Sequence, residues 1–96
     1  MKLAHLILAH NNPLQLERLV KRISHKDADV YIHLDSKTDI AQFAHLGDLP
    51  NTFFTKKRIK VMLGEYSTLE CALIGMEEIL ETGTTYSHVN LLSGND

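Results

Sequence analysis

The stretch Val30-Tyr31-Ile32-His33-Leu34-Asp35-Ser36-Lys37 is a largely apolar run that stops abruptly at a carboxylate and a polar turn. β-branched and aromatic residues suit the pleated, half-buried surface of a strand. A near-continuous apolar run is the pattern of a strand covered on both faces, as in parallel sheets. In open α/β sheets the carboxyl ends of the strands and the loops after them line the ligand crevice. The run therefore predicts an α/β fold in which a buried strand delivers Asp35 to such a crevice.

The upstream flank agrees. Leu3 to Ala9 is apolar apart from His5 and reads as a second buried strand. Asn12-Pro13 then opens a helix, with Asn12 as N-cap, Pro13 at the first helical position and Gln15 where a capping-box partner sits. Leu16, Leu19, Val20 and Ile23 fall on one helical face, with Glu17, Arg18, Lys21 and Arg22 opposite. His25-Lys26-Asp27 turns the chain into the strand Asp29 to Leu34. Two buried strands joined by an amphipathic helix make a βαβ unit with a right-handed crossover.

Downstream, Asp39-Ile40-Ala41-Gln42 starts a short second helix that fades by Gly47, and Pro50 marks a loop. Thr52 to Thr55 and Ile59 to Leu63 are short extended candidates. Ser67 and Glu70 form an S-x-x-E capping box ahead of an apolar stripe of Leu69, Ala72, Leu73, Met76, Ile79 and Leu80, with Gly83 as the stop. The last strand candidate, His88 to Leu92, runs into Ser93-Gly94-Asn95-Asp96. The order β-α-β-α-β-(β)-α-β is the pattern of a nucleotide-binding half-sheet. It predicts one partial domain over 1–96, stopping on the loop where such sheets place ligands.

Bulk properties narrow the function. The 96 residues hold one core, and 44% hydrophobic with 23% charged residues is ordinary for a globular chain. A net charge of -2 gives no electrostatic case for nucleic acid. The densest basic stretch, Lys56-Lys57-Arg58-x-Lys60, is short and reads as a solvated turn or, alternatively, a phosphate-facing loop. One cysteine, Cys71, excludes an internal disulfide, and no paired Cys/His spacing suggests structural zinc. The apolar start is too short for a signal-peptide core or a membrane span, so the expected location is cytoplasmic, or at the cytosolic face of a membrane.

Several residues carry chemistry in this frame. Asp35 has two readings: an acceptor for a ribose hydroxyl or a uracil N–H, or a turn carboxylate bonding its own backbone. His10-Asn11-Asn12 follows the first strand and precedes a capped helix, so its backbone N–H groups face the crevice, but it lacks a dinucleotide glycine fingerprint. His10 is either a ligand contact or a loop histidine. Ser67 is chiefly a cap at a helix N-terminus that attracts anions, with Gly64 just before it. Asp96 is a second carboxylate after a strand. His33-x-Asp35 lies on one strand face, but no further metal ligands stand at compatible spacing. His5 and His88, inside apolar strands, read as core histidines, and Cys71 as a small core residue.

Four blocks together resemble the core-2/I-branching family of glycosyltransferases, which includes the peptide O-xylosyltransferases. They are Leu6-Ile7-Leu8-Ala9-His10-Asn11-Asn12-Pro13 with Leu16-Glu17-Arg18-Leu19; Val30 to Lys37; Val61-x-x-Gly64-x-x-Ser67-x-x-x-Cys71-Ala72-Leu73; and Leu91-Leu92-Ser93-Gly94-Asn95-Asp96. The resemblance implies the N-terminal, nucleotide-binding half of a GT-A type, Rossmann-like sheet. It implies inverting transfer of GlcNAc or xylose from UDP-GlcNAc or UDP-xylose to a hydroxyl of a glycan or protein acceptor, with no metal or other cofactor. On this resemblance Asp35 contacts the uracil or ribose beside the His10 loop, Gly64 and Ser67 border the nucleotide, and Asp96 lies toward sugar and acceptor. Leu63 stands where the family usually has an aromatic residue. The family's catalytic base and diphosphate-holding cations lie further downstream, so no catalytic residue is assigned here and the chain alone is expected to be inactive. The competing readings are a non-catalytic α/β nucleotide-binding or receiver-like regulatory module, which wants acids after the first strand for Mg²⁺, and a metal hydrolase on His33 and Asp35.

Overall fold

A computed structural model of the chain describes residues 2–9, 12–36, 38–56 and 65–93, with the backbone alone for 65–68 and 93. The order is β1 (Leu3–Ala9), α1 (Pro13–Ile23), β2 (Ala28–Leu34), two 3₁₀ turns (Ile40–Gln42 and Ala44–Asp48), β3 (Thr52–Phe54), α2 (Glu65–Glu81) and β4 (His88–Ser93). The strands form one sheet in the order β3-β2-β1-β4, and all three pairings are parallel. The α/β expectation holds. The short second helix is instead a pair of 3₁₀ turns, opened by Asp39, whose side chain accepts from the Ala41 N–H at 3.0 Å. Ile59 to Leu63 lies outside the described residues.

Strand alternation sorts the core into two layers. On one face Ile7, Ala9, Val30, Ile32 and Leu34 meet Leu16 and Val20 of α1, with Phe43 and Leu46 of the 3₁₀ turns closing the layer. Each of the larger of these side chains contributes about 1.5–3 kcal/mol by leaving water, and Ala9 less. On the other face Ala4, Leu6 and Tyr31 meet Ile79, with Met76, Tyr86 and Val89 packed around them. β2 is buried along its whole length, which is why its sequence reads as continuously apolar.

The two helices are seated differently. At the start of α1, Asn12 adopts a left-handed backbone (φ 56°), which Asn tolerates better than most residues. Its Oδ1 accepts from the Gln15 N–H at 3.2 Å, and its Nδ2 donates to Gln15 Oε1 at 3.1 Å. Lys21 and Glu17 pair across one turn at 3.1 Å on the wet face. That exposed, solvent-screened i,i+4 pair adds little to stability.

α2 begins at Glu65, so Ser67 lies inside the first turn and is not the N-cap that the S-x-x-E pattern predicts. The expected apolar stripe is also displaced. Cys71, Ala72 and Ile79 are buried, with Gly75 on the same face, whereas Leu69, Leu73 and Leu80 are exposed. The cause is Gly75: a Cβ there would stand 2.7 Å from Leu6 Cδ2. The helix therefore approaches β1 on its small-residue face and turns its leucines outward. Gly83, at φ 79°, ends it as expected, with its N–H bonded to Leu80 O at 3.3 Å. No helix among the described residues is long and apolar enough to cross a membrane.

Candidate functional site

In a parallel sheet every carboxyl end points the same way. Ala9 of β1 stands beside Leu34 of β2, and Ser93 of β4 beside Leu8 of β1. From β1 the chain moves outward through β2 and β3, then returns to the far side of β1 as β4. The reversal between β1 and β4 is a topological switch point, the place where doubly wound sheets open a crevice for ligands.

Asp35 follows β2 at this end. Its N–H donates to Ala9 O at 3.0 Å, tying it to the tip of β1, and its own carbonyl accepts from the Thr38 N–H at 2.9 Å. The residue is thus the first of a tight turn and is only 3% exposed. Strand alternation sets Tyr31 and His33 on the α2 side of the sheet, and Asp35 continues that face. Its charge reaches the buried Cys71 thiol on α2, which is raised mainly by burial and further by Glu70 and Asp35. Cys71 is a core residue whose thiol is held protonated.

Asp35 is the one predicted site residue whose side chain is described. His10, Gly64 and Asp96 lie outside the described residues, and Ser67 is described only in its backbone, in the first turn of α2. Among the described residues no group of three His, Cys, Asp or Glu side chains is placed to hold a metal ion. His88 is solvent-exposed rather than in the core, because among the described residues β4 is an edge strand and His88 lies at its start. His5 is half-buried, and that burial lowers its pKa.

The sequence reading missed a polar cluster at the opposite, amino end of the sheet. Asp29, 5% exposed, accepts the Tyr86 hydroxyl on Oδ2 at 2.6 Å and pairs there with Lys2 Nζ at 3.3 Å. Tyr31 and Tyr86 hydroxyls are 2.8 Å apart. A phenol has one hydrogen, and Tyr86 gives its own to Asp29, so Tyr31 donates to the Tyr86 oxygen. Burial first, then the bonds to Asp29 and Tyr31, push the Tyr86 hydroxyl far above the usual phenol range. The signal was present in the chain: a Tyr on the inward face of a buried strand needs a partner for its hydroxyl, and Asp29 stands two positions before it on the same face.

A parallel sheet in the order 3-2-1-4, with a helix on either face and a buried carboxylate beside the switch point, is an α/β arrangement of Rossmann-like type. A family model described as Core-2/I-Branching enzyme matches residues 3–96. The chain belongs to that family of glycosyltransferases. Xylosyltransferase 2 of Rattus norvegicus is 29% identical over 103 residues, an alignment taking in 100% of this chain and 12% of the rat protein. The chain thus spans about one-eighth of the length of that curated relative.

Proposed function

We propose that the chain is the donor-nucleotide-binding part of an inverting glycosyltransferase that moves xylose or GlcNAc from a UDP-sugar to an acceptor hydroxyl without a metal ion. The observation that carries this reading is the position of Asp35, fixed to the tip of β1 by a 3.0 Å backbone bond beside the β1/β4 switch point, in a chain of this family. A carboxylate has about four acceptor sites, so it can serve its protein neighbours and still accept a uracil N–H or a ribose hydroxyl. The His10 loop, Gly64, Ser67 and Asp96 are proposed to frame the rest of the donor.

In an inverting transfer the acceptor oxygen attacks the anomeric carbon, its proton passes to a base, and the bond to UDP breaks with the charge leaving on the diphosphate. The chain's share is to bind and orient the uridine end. No residue here is assigned as the base, and the 96 residues alone are proposed to bind without turning over.

Calorimetric titration of UDP, UDP-xylose and UDP-GlcNAc, with EDTA present, tests the reading. Saturable heat from UDP is expected, and Asp35→Asn should weaken it by roughly 10- to 100-fold, the value of about 1.5–3 kcal/mol for a hydrogen bond to a charged group. Absence of heat from all three ligands, or unchanged affinity in a folded Asp35→Asn protein, overturns it.

A further inference from the structure

We propose that the groove between β3 and the second half of α2 is a separate binding site for a neutral, hydroxyl-rich saccharide. α2 lies over β1 and β2, so among the described residues the same side of β3 is left open. The resulting groove, about 610 Å³, has Tyr31 and Phe53 among its lining. Their rings are adjacent, with centroids 5.4 Å apart and planes tilted by 32°. Phe53 is 47% exposed although it sits in a strand of the sheet. The volume lies within the range of roughly 300–1,000 Å³ typical of small-ligand sites. Asp35 is not part of its wall.

The rim chooses the ligand class. It carries Lys2 and Lys56 together with Asp29, Glu78 and Glu81. Some of these groups already hold the frame. Lys2 pairs with Asp29 at one end, and the Lys56 N–H donates to Glu78 Oε1 at 2.8 Å at the other, linking the end of β3 to α2. Both recorded contacts of Asp29 fall on Oδ2, which leaves acceptor capacity on Oδ1.

A simple cation or anion would meet charges of its own sign here. A hydroxyl donates and accepts, so it suits a rim of both kinds. The exposed phenyl ring offers an apolar plate for the C–H face of a sugar. A nucleobase also stacks on such a plate, but its polar atoms are gathered on its edges in one plane. This rim instead draws its carboxylates from two elements, Asp29 at the amino end of β2 and Glu78 and Glu81 on α2.

The test uses the isotope-labelled 96-residue protein and backbone amide shifts. The probes are xylobiose and N,N′-diacetylchitobiose, with glucuronate, spermidine and uridine as comparators. Saturable shifts at Asn51, Phe53 and Thr84 with a neutral disaccharide are expected, with Phe53→Ala weakening binding at least about tenfold. Glu81→Gln, on the exposed flank of α2, is a second variant expected to weaken it with the fold intact. The proposal is overturned if neither disaccharide shifts these amides, if shifts appear only around Asp35, or if spermidine, glucuronate or uridine binds the groove more tightly. The UDP titration reads at Asp35, so either reading can fail while the other stands.

Discussion

Asn12 and Gly75 show how single backbone demands shape this chain. Asn12 combines a left-handed φ of 56° with a side-chain cap on Gln15, and these two roles separate by mutation. Asn12→Ala loses the cap, about 1 kcal/mol, and strains the left-handed backbone by about another 1–2 kcal/mol. Asn12→Gly keeps the backbone at ease and costs only a few tenths as a cap. Urea denaturation should therefore rank wild type slightly above Asn12→Gly, with Asn12→Ala well below. Gly75→Ala would drive a methyl into Leu6. Overpacking costs about 1–3 kcal/mol, and the helix gain of Ala over Gly, about 1 kcal/mol, offsets part of it. A net loss of about 1 kcal/mol is expected by the same assay, and a larger one for Gly75→Val. The Asn12 cap was legible in the sequence because capping is local chemistry. The approach of α2 was not, since a lone glycine inside a helical pattern does not reveal the Leu6 it must admit.

Each element carries a legible part and a hidden part. β1, β2, α1 and the end of α2 follow from period, caps and breakers, all of which act within a few residues. The rotation of α2 and the amino-end cluster depend on contacts between residues far apart, such as Tyr86 with Asp29. Of the candidate site, the placement of Asp35 was readable because a strand end is itself a local feature, while His10, Gly64 and Asp96 lie outside the described residues. The Tyr86 cluster anchors the segment before β4 to β2, and its pH dependence has a definite sign. The folded phenol is held protonated, so its contribution is complete below the unfolded value of about 10 and is lost as pH rises above it. Thermal melts should show a fall in stability above about pH 10. Tyr86→Phe should be less stable at neutral pH by about 1–2 kcal/mol and show a shallower alkaline fall. An alkaline fall as steep in Tyr86→Phe as in wild type would show that another group is responsible.

Across the whole molecule, Leu69, Leu73 and Leu80 of α2 are exposed, and so is Leu91 of β4 on the same side of the sheet. Among the described residues β4 pairs only with β1, so a strand edge and an apolar flank are presented together. Edges and patches of this kind promote association. The 96-residue protein is expected to self-associate with rising concentration in sedimentation velocity, and Leu73→Lys with Leu80→Glu should shift it toward monomer. A wild-type chain that stays monomeric at high concentration would contradict this.

The sheet order also sets a timetable for synthesis. Of the four strands, β1 is made before the others yet occupies an inner place in the sheet, with β2 on one side and β4 on the other. β1, α1, β2 and β3 can assemble while the chain is still growing, but the second neighbour of β1 begins only at His88. Until then the nascent chain holds the central strand with one edge bare. A sheet built outward from β1 is therefore most exposed to wrong partners just before β4 arrives.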